Sequence, residues 1–344
     1  MIRSMRQEII QRRNYLNNKI VSSIYFGGGT PSILSPIEIK KFINDISKFY
    51  LVSSNAEITI ECNPDDLTKK KLLSFKKIGI NRLSIGVQSF HDSDLKFMNR
   101  SHSSKDAIKS IHLAKKTGFK NITIDLIYGL PNQKVQDWEN NLDILFSLDI
   151  QHFSAYSLTV ESKTPLSHLV KTQKVMMLSD EKIIEQFNLL QIKASEKGFI
   201  HYEISNFGKE GHFSRHNTAY WKNHNYLGIG PSAHSFNGKT RRWNTSSNKK
   251  YISNIASKTS YFELEELNIT QQYNEYILTS LRTIWGVNIN LIKESYGNHF
   301  EVYFLKQVKK WTQKKFITVD SNIYKLTASG KVLADTIVSD LFFA

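Results

Sequence analysis

The chain has 344 residues, a formal net charge of +15, 40% hydrophobic residues and 22% charged residues. This length allows one large domain with a smaller one, and the composition is that of an ordinary globular protein, which excludes a disordered or fibrous chain. No apolar run approaches the roughly 18–20 residues of a membrane span, and the basic N-terminus lacks a signal-peptide core. We therefore expect a cytoplasmic protein.

The positive charge has two interpretations. Lysine, asparagine and isoleucine are all abundant and the lysines are scattered, so a compositional bias accounts for the charge by itself. A basic surface for an acidic small molecule, for peripheral contact with a membrane or for nucleic acid is the alternative. The single cysteine, Cys62, excludes an intrachain disulfide and any metal site built from several thiolates of this chain.

Short apolar runs alternate with longer amphipathic stretches from residue 22 to about 158. The runs predict strands at 23–29, 56–62, 81–89, 121–129 and 152–160, and the stretches predict helices at 36–50, 66–78, 92–117 and 134–148. Strands that alternate with helices of this length indicate βα units and a parallel sheet. Because no Rossmann fingerprint is present, we expect a barrel, with its functional residues at the carboxyl ends of the strands. The 22–29 strand is expected at an exposed edge of the sheet.

The remaining sequence predicts more helices and one hairpin. A helix should end at Gly198, and further helices are expected near 270–284, 300–314 and 327–342. A hairpin over 316–327 would turn at Asp320, Ser321 and Asn322. Helices that flank a β-wing resemble a winged helix, for which a lid or docking role is favoured over DNA binding. We predict domains at 1–165, 166–264 and 265–344.

Polar residues stand at the ends of several apolar strands. Glu61 ends "EITIE", Gln88 ends "LSIGVQ" and Asp125 interrupts "ITIDLIYGLP". A carboxylate in a buried strand is unfavourable unless it is paired or bound to a polar group. Pairing with Arg82 or Arg100 is one explanation. The common position at strand ends, beside the glycines of "YFGGGTPS", favours a ligand site, and the absence of a Gly-Lys-Ser/Thr sequence argues against a phosphate-binding P-loop.

Longer motifs point to a known family. They include "YFGGGTPSIL", "IECNPDDL", "RLSIGVQSF", "MNRSHS", "IDLIYGLPNQ", "HNTAYW" and "RRWN", and they occupy residues 22 to 244. The chain resembles the radical S-adenosylmethionine proteins of the oxygen-independent coproporphyrinogen III oxidase group, and most closely their HemW branch. The resemblance implies an incomplete parallel (β/α)6 barrel, without its first strand, and a small C-terminal winged-helix-like α+β domain.

The resemblance also implies a set of ligand contacts. Residues expected to contact S-adenosylmethionine are Gly28, Gly29, Thr30, Glu61, Gln88, Arg100 and Asp125. The Arg100 guanidinium could bind the carboxylate of this ligand in a bidentate manner.

The chain departs from the family at the metal cluster. Family members carry a CxxxCxxC loop whose thiolates hold a [4Fe–4S] cluster, whereas this sequence has only Cys62. No metal ligands are therefore assigned, and no radical chemistry is expected. A fragment of an ordinary family member is the favoured explanation, with a natural form lacking the cluster as the alternative.

The motif "HNTAYW" makes His216 a haem contact by resemblance to the HNxxYW motif of HemW proteins, which bind haem and deliver it to respiratory enzymes. A structural role for His216, or a zinc site shared with His212, is the alternative. The expected function is haem binding and delivery. The rival functions are an oxygen-independent coproporphyrinogen III oxidase and a basic winged-helix protein that binds nucleic acid.

Overall fold

The computed structural model describes all 344 residues, which form two compact units. The first unit comprises Met1–Ile24, Ser35–Glu57 and Arg215–Ala344, and the second comprises Tyr25–Leu34 and Ile58–Ser214. None of the helices combines the length and the apolar character that a bilayer-spanning segment requires.

The chain contains thirteen strands and fifteen α-helices. The strands are β1 Ile20–Phe26, β2 Leu51–Cys62, β3 Arg82–Gln88, β4 Asn121–Tyr128, β5 His152–Ser157, β6 Ile200–Glu203, β7 Asn206–Gly208, β8 His234–Phe236, β9 Thr240–Asn244, β10 Phe262–Glu266, β11 Val287–Asn288, β12 Ile317–Asp320 and β13 Ile323–Leu326. The helices are α1 Ile2–Gln11, α2 Pro36–Ser47, α3 Lys69–Lys77, α4 Asp92–Phe97, α5 Ser104–Lys116, α6 Val135–Ser147, α7 Pro165–Lys171, α8 Asp180–Glu196, α9 Arg215–Trp221, α10 Asn248–Ser257, α11 Ile269–Leu281, α12 Ile289–Tyr296, α13 Asn298–Gln313, α14 Ala328–Val332 and α15 Ala334–Asp340.

The main sheet has seven strands in the order β1-β2-β3-β4-β5-β7-β6. Strands β2 to β5 pair in parallel, while β7 is antiparallel to β5 and β6 is antiparallel to β7. The predicted parallel βα architecture is therefore confirmed, and β1 lies at the sheet edge as expected. The hairpin β6–β7 was not predicted, because strands of three and four residues are too short to show a clear pattern in the sequence.

Capping residues mark the first turns of the helices that connect the strands of the main sheet. Ser35 and Glu38 form a capping box at the start of α2, and Thr68 accepts a hydrogen bond from the backbone of α3. The predicted single helix over 92–117 is wrong, because it is interrupted after α4. Asn99 adopts a left-handed φ of 53°, and Ser103 begins a new capping box for α5.

The core of the second unit is formed by the faces of its parallel strands. Ile85, Ile124, Leu126 and Phe153 are fully buried, as expected for parallel strands covered on both sides. The ring of Phe153 stacks on Phe207 with a centroid distance of 4.7 Å, which packs the hairpin against β5.

The C-terminal part of the first unit contains the predicted hairpin. Ser321 and Asn322 have φ values of 48° and 69°, as a two-residue hairpin turn requires. The hairpin gains a third strand, β11, in the order β11-β13-β12. The sequence analysis missed β11 and α12, and the helix predicted over 327–342 is divided between α14 and α15.

A buried carboxylate fastens α1 within the first unit. Glu8 has no exposed surface, and its oxygens accept hydrogen bonds from the Tyr251 hydroxyl at 2.5 Å, the Gly230 N–H at 2.9 Å and the Asn244 amide at 2.8 Å. The buried Arg12 guanidinium lies 3.4 Å from the same carboxylate. A buried carboxylate with several hydrogen-bond donors is stabilised by them, so these contacts hold α1 against the rest of the first unit.

Candidate functional site

Glu61 connects two neighbouring strand ends in the second unit. Its carboxylate accepts hydrogen bonds from the Tyr25 hydroxyl at 2.8 Å and from the Gly28 N–H at 3.1 Å. Tyr25 is the penultimate residue of β1, Gly28 lies two residues after that strand, and Glu61 is the penultimate residue of β2. We call this group, with Ser84 and Asp125 described below, the strand-end cluster.

The glycines beside Glu61 have different roles. A Cβ atom at Gly27 would lie 2.7 Å from a Glu61 oxygen and 2.5 Å from the Tyr25 ring, so only glycine fits there. Gly28 and Gly29 have φ values of 76° and 87°, and a Cβ atom on either would meet nothing within 4 Å. Their backbone therefore faces open space, which leaves room for a ligand to approach it closely.

Asp125 lies on β4, two strands away from Glu61. Its carboxylate accepts a hydrogen bond from the Ser84 hydroxyl at 2.8 Å, and Ser84 is itself in register with Glu61. Burial raises the pKa of the Asp125 carboxyl, and the charge of Glu61 raises it further, while hydrogen bonds from Ser84 and Ser154 act in the opposite direction. The two carboxylates thus repel each other across one strand, an arrangement that a cationic or hydrogen-bond-donating ligand would relieve.

Gln88 and Arg100 meet around Gly86. A Cβ atom at Gly86 would lie 2.8 Å from the Gln88 amide nitrogen and 3.1 Å from the Arg100 guanidinium, which donates to the Gly86 carbonyl at 3.2 Å. Gln88 has a φ of 69° at an irregularity in the pairing of β3 with β4. A left-handed non-glycine residue in a strand is strained, and such strain concentrates at functional sites.

The predicted residues of this site are only partly joined by direct contacts. Glu61 contacts Gly28, and Gln88 and Arg100 share the space around Gly86, whereas Thr30 starts the short 3-10 turn Pro31–Ile33. Burial lowers the pKa of the Arg100 guanidinium, and the charge of Asp65 opposes that change.

Sequence reasoning missed three residues of the strand-end cluster and its surroundings, Tyr25, Ser84 and Ser154. The signal was present, because a serine interrupts both "RLSIGVQ" and "HFSAYS", two otherwise buried strands. The hydrogen bonds that these small polar groups make to a neighbouring carboxylate depend on strand register, which the sequence pattern does not specify.

A [4Fe–4S] cluster does not fit the residues of this chain. Cys62 is 4% exposed, burial raises the pKa of its thiol, and the thiol donates to the Ile60 carbonyl at 3.6 Å. No group of three His, Cys, Asp or Glu side chains is arranged to hold a metal ion, so the alternative zinc site with His212 lacks a set of ligands as well.

His216 lies in the first unit, at the start of α9. The backbone N–H groups of Arg215 and His216 each donate to the Glu57 carboxylate at 3.1 Å, and Arg215 also donates from its side chain to the Asn55 carbonyl at 2.7 Å. Glu57 is 5% exposed, so a buried negative charge caps this helix. The Nδ1 atom of His216 lies 3.5 Å from the Ser23 hydroxyl, which orients the imidazole ring.

An exposed aromatic surface continues from the His216 turn. Tyr220 lies one helical turn after His216, is 47% exposed and contacts the rings of Trp221 and Tyr226 at centroid distances of 5.7 and 5.3 Å. Residues four apart on a helix share a face. An imidazole and an exposed aromatic ring are therefore presented together.

Comparisons with known proteins agree with this architecture. The Radical SAM superfamily model matches residues 4–145, and the HemN C-terminal domain model matches residues 267–333. The heme chaperone HemW of Bacillus subtilis is 36% identical over 98% of this chain and 89% of its own length. The chain belongs to the HemW family.

Further comparisons extend this assignment. The heme chaperone HemW of Lactococcus lactis is 30% identical over 92% of this chain and 83% of its own length. The solved structure of the coproporphyrinogen III oxidase HemN from Escherichia coli, described as a radical SAM enzyme, superposes with a TM-score of 0.84 at 22% identity. It covers 99% of this chain and 82% of that one, and it shows that the two share a fold.

Membership of a radical SAM family implies S-adenosylmethionine and an iron–sulfur cluster as family cofactors. In this chain the open glycines and the carboxylates of the strand-end cluster fit the first of these. The single buried thiol does not fit the second, so no chemical step through a cluster can be derived from these residues.

Proposed function

We propose that the protein binds haem on the α9 surface and delivers it to haem-requiring proteins in the cytoplasm, including respiratory enzymes. The relatives named heme chaperone HemW support this, because they match nearly the whole chain. The supporting local feature is the helix "RHNTAYW", which carries an imidazole beside an exposed tyrosine. Imidazole is a common axial ligand of haem iron, and aromatic rings pack against a flat macrocycle.

The Glu57 cap is the observation that carries the proposal. Two backbone hydrogen bonds of 3.1 Å fix the first turn of α9, and the Ser23 contact orients the Nδ1 side of the His216 ring. In a histidine that binds a metal, the second ring nitrogen is usually engaged in a hydrogen bond that orients the ring. The His216 imidazole is thus the proposed iron ligand.

A haem titration followed by visible absorption tests the site. The wild-type chain should give a saturable Soret band with the signature of an imidazole ligand, and His216→Ala should lose that signature. His224→Ala, which removes an exposed histidine close in sequence, is the matched control and should leave the spectrum unchanged. Equal spectra for wild type and His216→Ala would place the haem elsewhere.

Delivery is tested separately, by mixing the haem-loaded protein with an apo-globin. If the protein transfers haem directly, the spectrum of the haem-loaded acceptor should appear at a rate that increases with the acceptor concentration. A rate equal to that of spontaneous haem release, measured with excess apo-globin as a trap, would contradict active delivery.

We also propose that the strand-end cluster, with Thr30, Gln88 and Arg100, holds S-adenosylmethionine. The cluster offers backbone N–H groups and carboxylates, and Arg100 adds a positive charge suited to the ligand carboxylate. Equilibrium dialysis with labelled S-adenosylmethionine should show binding that Glu61→Gln and Arg100→Gln weaken about tenfold or more, since hydrogen bonds to charged groups contribute about 1.5–3 kcal/mol. Unchanged affinity in both variants would exclude this site.

The oxidase remains the rival activity, because the HemN fold is shared. It requires reduction of S-adenosylmethionine by a cluster, for which this chain has one buried thiol. Coproporphyrinogen III supplied with S-adenosylmethionine and a chemical reductant should therefore remain unchanged. Release of CO2 from its propionate groups would favour the oxidase.

A further inference from the structure

The chain makes a tight turn where β3 ends, at Gln88. The Ser89 N–H donates to the Val87 carbonyl at 2.9 Å, and Gln88 between them has a φ of 69°. A three-residue turn with a positive φ at its centre is a γ-turn of the rare and strained kind. Such a backbone persists only where the surrounding structure holds it in place.

Asn141, on the buried face of α6, holds the chain just after this turn. It has no exposed surface, and its side-chain oxygen accepts a hydrogen bond from the Phe90 N–H at 2.5 Å. Its amide nitrogen donates to the Asp137 carbonyl, one turn earlier in the same helix, at 3.2 Å. Because that contact engages the nitrogen, the oxygen of the amide is the end that faces Phe90.

His102 holds the other side of the turn. It is 5% exposed, and its Nε2 atom lies 3.1 Å from the Val87 carbonyl oxygen. A carbonyl oxygen only accepts hydrogen bonds, so Nε2 carries the proton and donates it. Two buried side chains, one from α6 and one from the stretch between α4 and α5, therefore converge on a turn of three residues.

The turn determines where the Gln88 side chain lies. The amide nitrogen of Gln88 and a guanidinium nitrogen of Arg100 lie 2.8 and 3.1 Å from the point where a Cβ atom would stand on Gly86. The amide and the guanidinium are therefore neighbours. Since the direction of a side chain follows its backbone conformation, an extended backbone at Gln88 would move the amide away from Arg100.

We propose that Asn141 and His102 are positioning residues, which hold the γ-turn and so keep the Gln88 amide beside Arg100 in the ligand site. The inference rests on the S-adenosylmethionine site proposed above, although neither residue needs to touch the ligand. The alternative is that each side chain only satisfies a buried backbone group, as buried N–H and C=O groups require. In that case the turn would keep its shape without them.

Amide hydrogen exchange of the full chain, resolved to single residues, distinguishes the two roles. The Ser89 N–H donates within the turn, whereas the Phe90 N–H donates to Asn141. If Asn141 holds the turn, Asn141→Ala should speed exchange at both residues by about tenfold or more. Faster exchange at Phe90 alone, with Ser89 as in wild type, would overturn the proposal.

Equilibrium dialysis with labelled S-adenosylmethionine tests the effect on the ligand. Asn141→Ala and His102→Ala should each weaken binding by roughly three- to tenfold, which is the range for one neutral hydrogen bond from Gln88. His102→Gln keeps an amide donor and should recover most of the affinity. In a Gln88→Ala background, Asn141→Ala should weaken binding by less than about twofold more, because the amide that it positions is already gone.

Leu145→Val is the matched control, since Leu145 is a fully buried residue one helical turn after Asn141. It should lower the melting temperature and leave the affinity unchanged. If wild type fails to bind S-adenosylmethionine, the proposed ligand site is wrong, and exchange at Ser89 still decides whether Asn141 holds the turn. If wild type binds and Asn141→Ala binds equally well, or if the losses from Asn141→Ala and Gln88→Ala are fully additive, the positioning role is overturned while the ligand site stands.

Discussion

Four carboxylates lie in apolar surroundings, two in each unit, and the two pairs differ in their exposure to solvent. In the first unit, Glu8 and Glu57 are almost completely buried, and each accepts at least two hydrogen bonds from protein donors. In the second unit, Glu61 and Asp125 are half-buried. Glu61 lies one residue before the end of β2 and accepts a hydrogen bond from Gly28, whose backbone faces open space, and Asp125 lies within β4. All four carboxylates accept hydrogen bonds, so the difference lies in exposure: nearly complete burial indicates a structural role, whereas partial exposure near an open backbone indicates a site.

The comparison predicts opposite responses to substitution. Removing a fully buried carboxylate such as Glu8 or Glu57 leaves buried hydrogen-bond donors without acceptors and lowers the stability of the protein. Removing a strand-end carboxylate relieves repulsion and lowers ligand affinity instead.

Glu8→Ala should lower the free energy of unfolding by about 3–5 kcal/mol, because Arg12 and the donors of Tyr251 and Asn244 would stay buried without their acceptor. Urea denaturation followed by circular dichroism measures the change. Glu8→Gln keeps the shape and should have a smaller effect. A loss below about 1 kcal/mol in Glu8→Ala would show that the network is dispensable.

Glu57→Ala should lower stability by about 1–2 kcal/mol, as loss of a helix cap does, and weaken haem binding about tenfold. The reason is that the first turn of α9 would lose both of its backbone acceptors. Glu57→Gln keeps an acceptor oxygen and should recover part of the affinity together with the wild-type Soret position. If Glu57→Ala lost stability yet kept full haem affinity and an unchanged spectrum, Glu57 would not position His216.

His152 should make the stability of the protein depend on pH. It is fully buried, its ring nitrogens contact the Thr123 and Tyr202 hydroxyls at 2.5 and 2.8 Å, and burial, assisted by the charge of Arg82, lowers its pKa well below the usual value. Below about pH 6.5 the unfolded chain binds a proton that the folded state does not. Stability should therefore fall as the pH falls, by up to about 1.4 kcal/mol per pH unit.

The control for that prediction is His152→Gln, which cannot take up the proton. Its stability should be lower at pH 7.5, because the buried hydrogen bonds are altered, but it should decline less steeply between pH 6.5 and 5. Parallel pH profiles for the two proteins would assign the acid sensitivity to other groups.

Asp125→Asn should raise stability at pH 7 by about 1 kcal/mol, the usual gain when a destabilised functional group is replaced. The pKa of this carboxyl is raised in the folded protein, so its contribution to stability is most favourable at pH values below its pKa in the unfolded chain. That contribution is lost as the pH rises through the pKa of the folded state. Asparagine carries no charge to desolvate. Thermal melts at pH 7 should show the gain in stability, and dialysis with S-adenosylmethionine should show a loss of ligand affinity in the same variant. A variant less stable than wild type would instead indicate that Asp125 has a structural role, like Glu8 and Glu57.

The fold of the second unit was largely predictable, because apolar runs and capping residues are local signals. Glu61 and Asp125 were noticed for a similar reason, since both interrupt apolar strands, and their role in a ligand site stays a prediction. The short strands of β6 to β10 were not predictable, since segments of three to five residues show no clear periodicity.

The surroundings of His216 were not predictable in the same way. Glu57 also interrupts an apolar strand, "AEITIEC", and the reasoning applied to Glu61 could have identified it as a paired carboxylate. That reasoning could not have supplied the partner, because Glu57 and Arg215 are separated by 158 positions in the chain. Contacts of that range follow from the fold and not from any local pattern.

We propose that the His216 imidazole is the iron ligand of a bound haem. The most direct measurement is a haem titration of His216→Gly with and without added imidazole, followed by visible absorption. The variant should lose the imidazole-ligated Soret band, and free imidazole should restore it. A Soret band in His216→Gly that is identical to wild type without imidazole would contradict the claim.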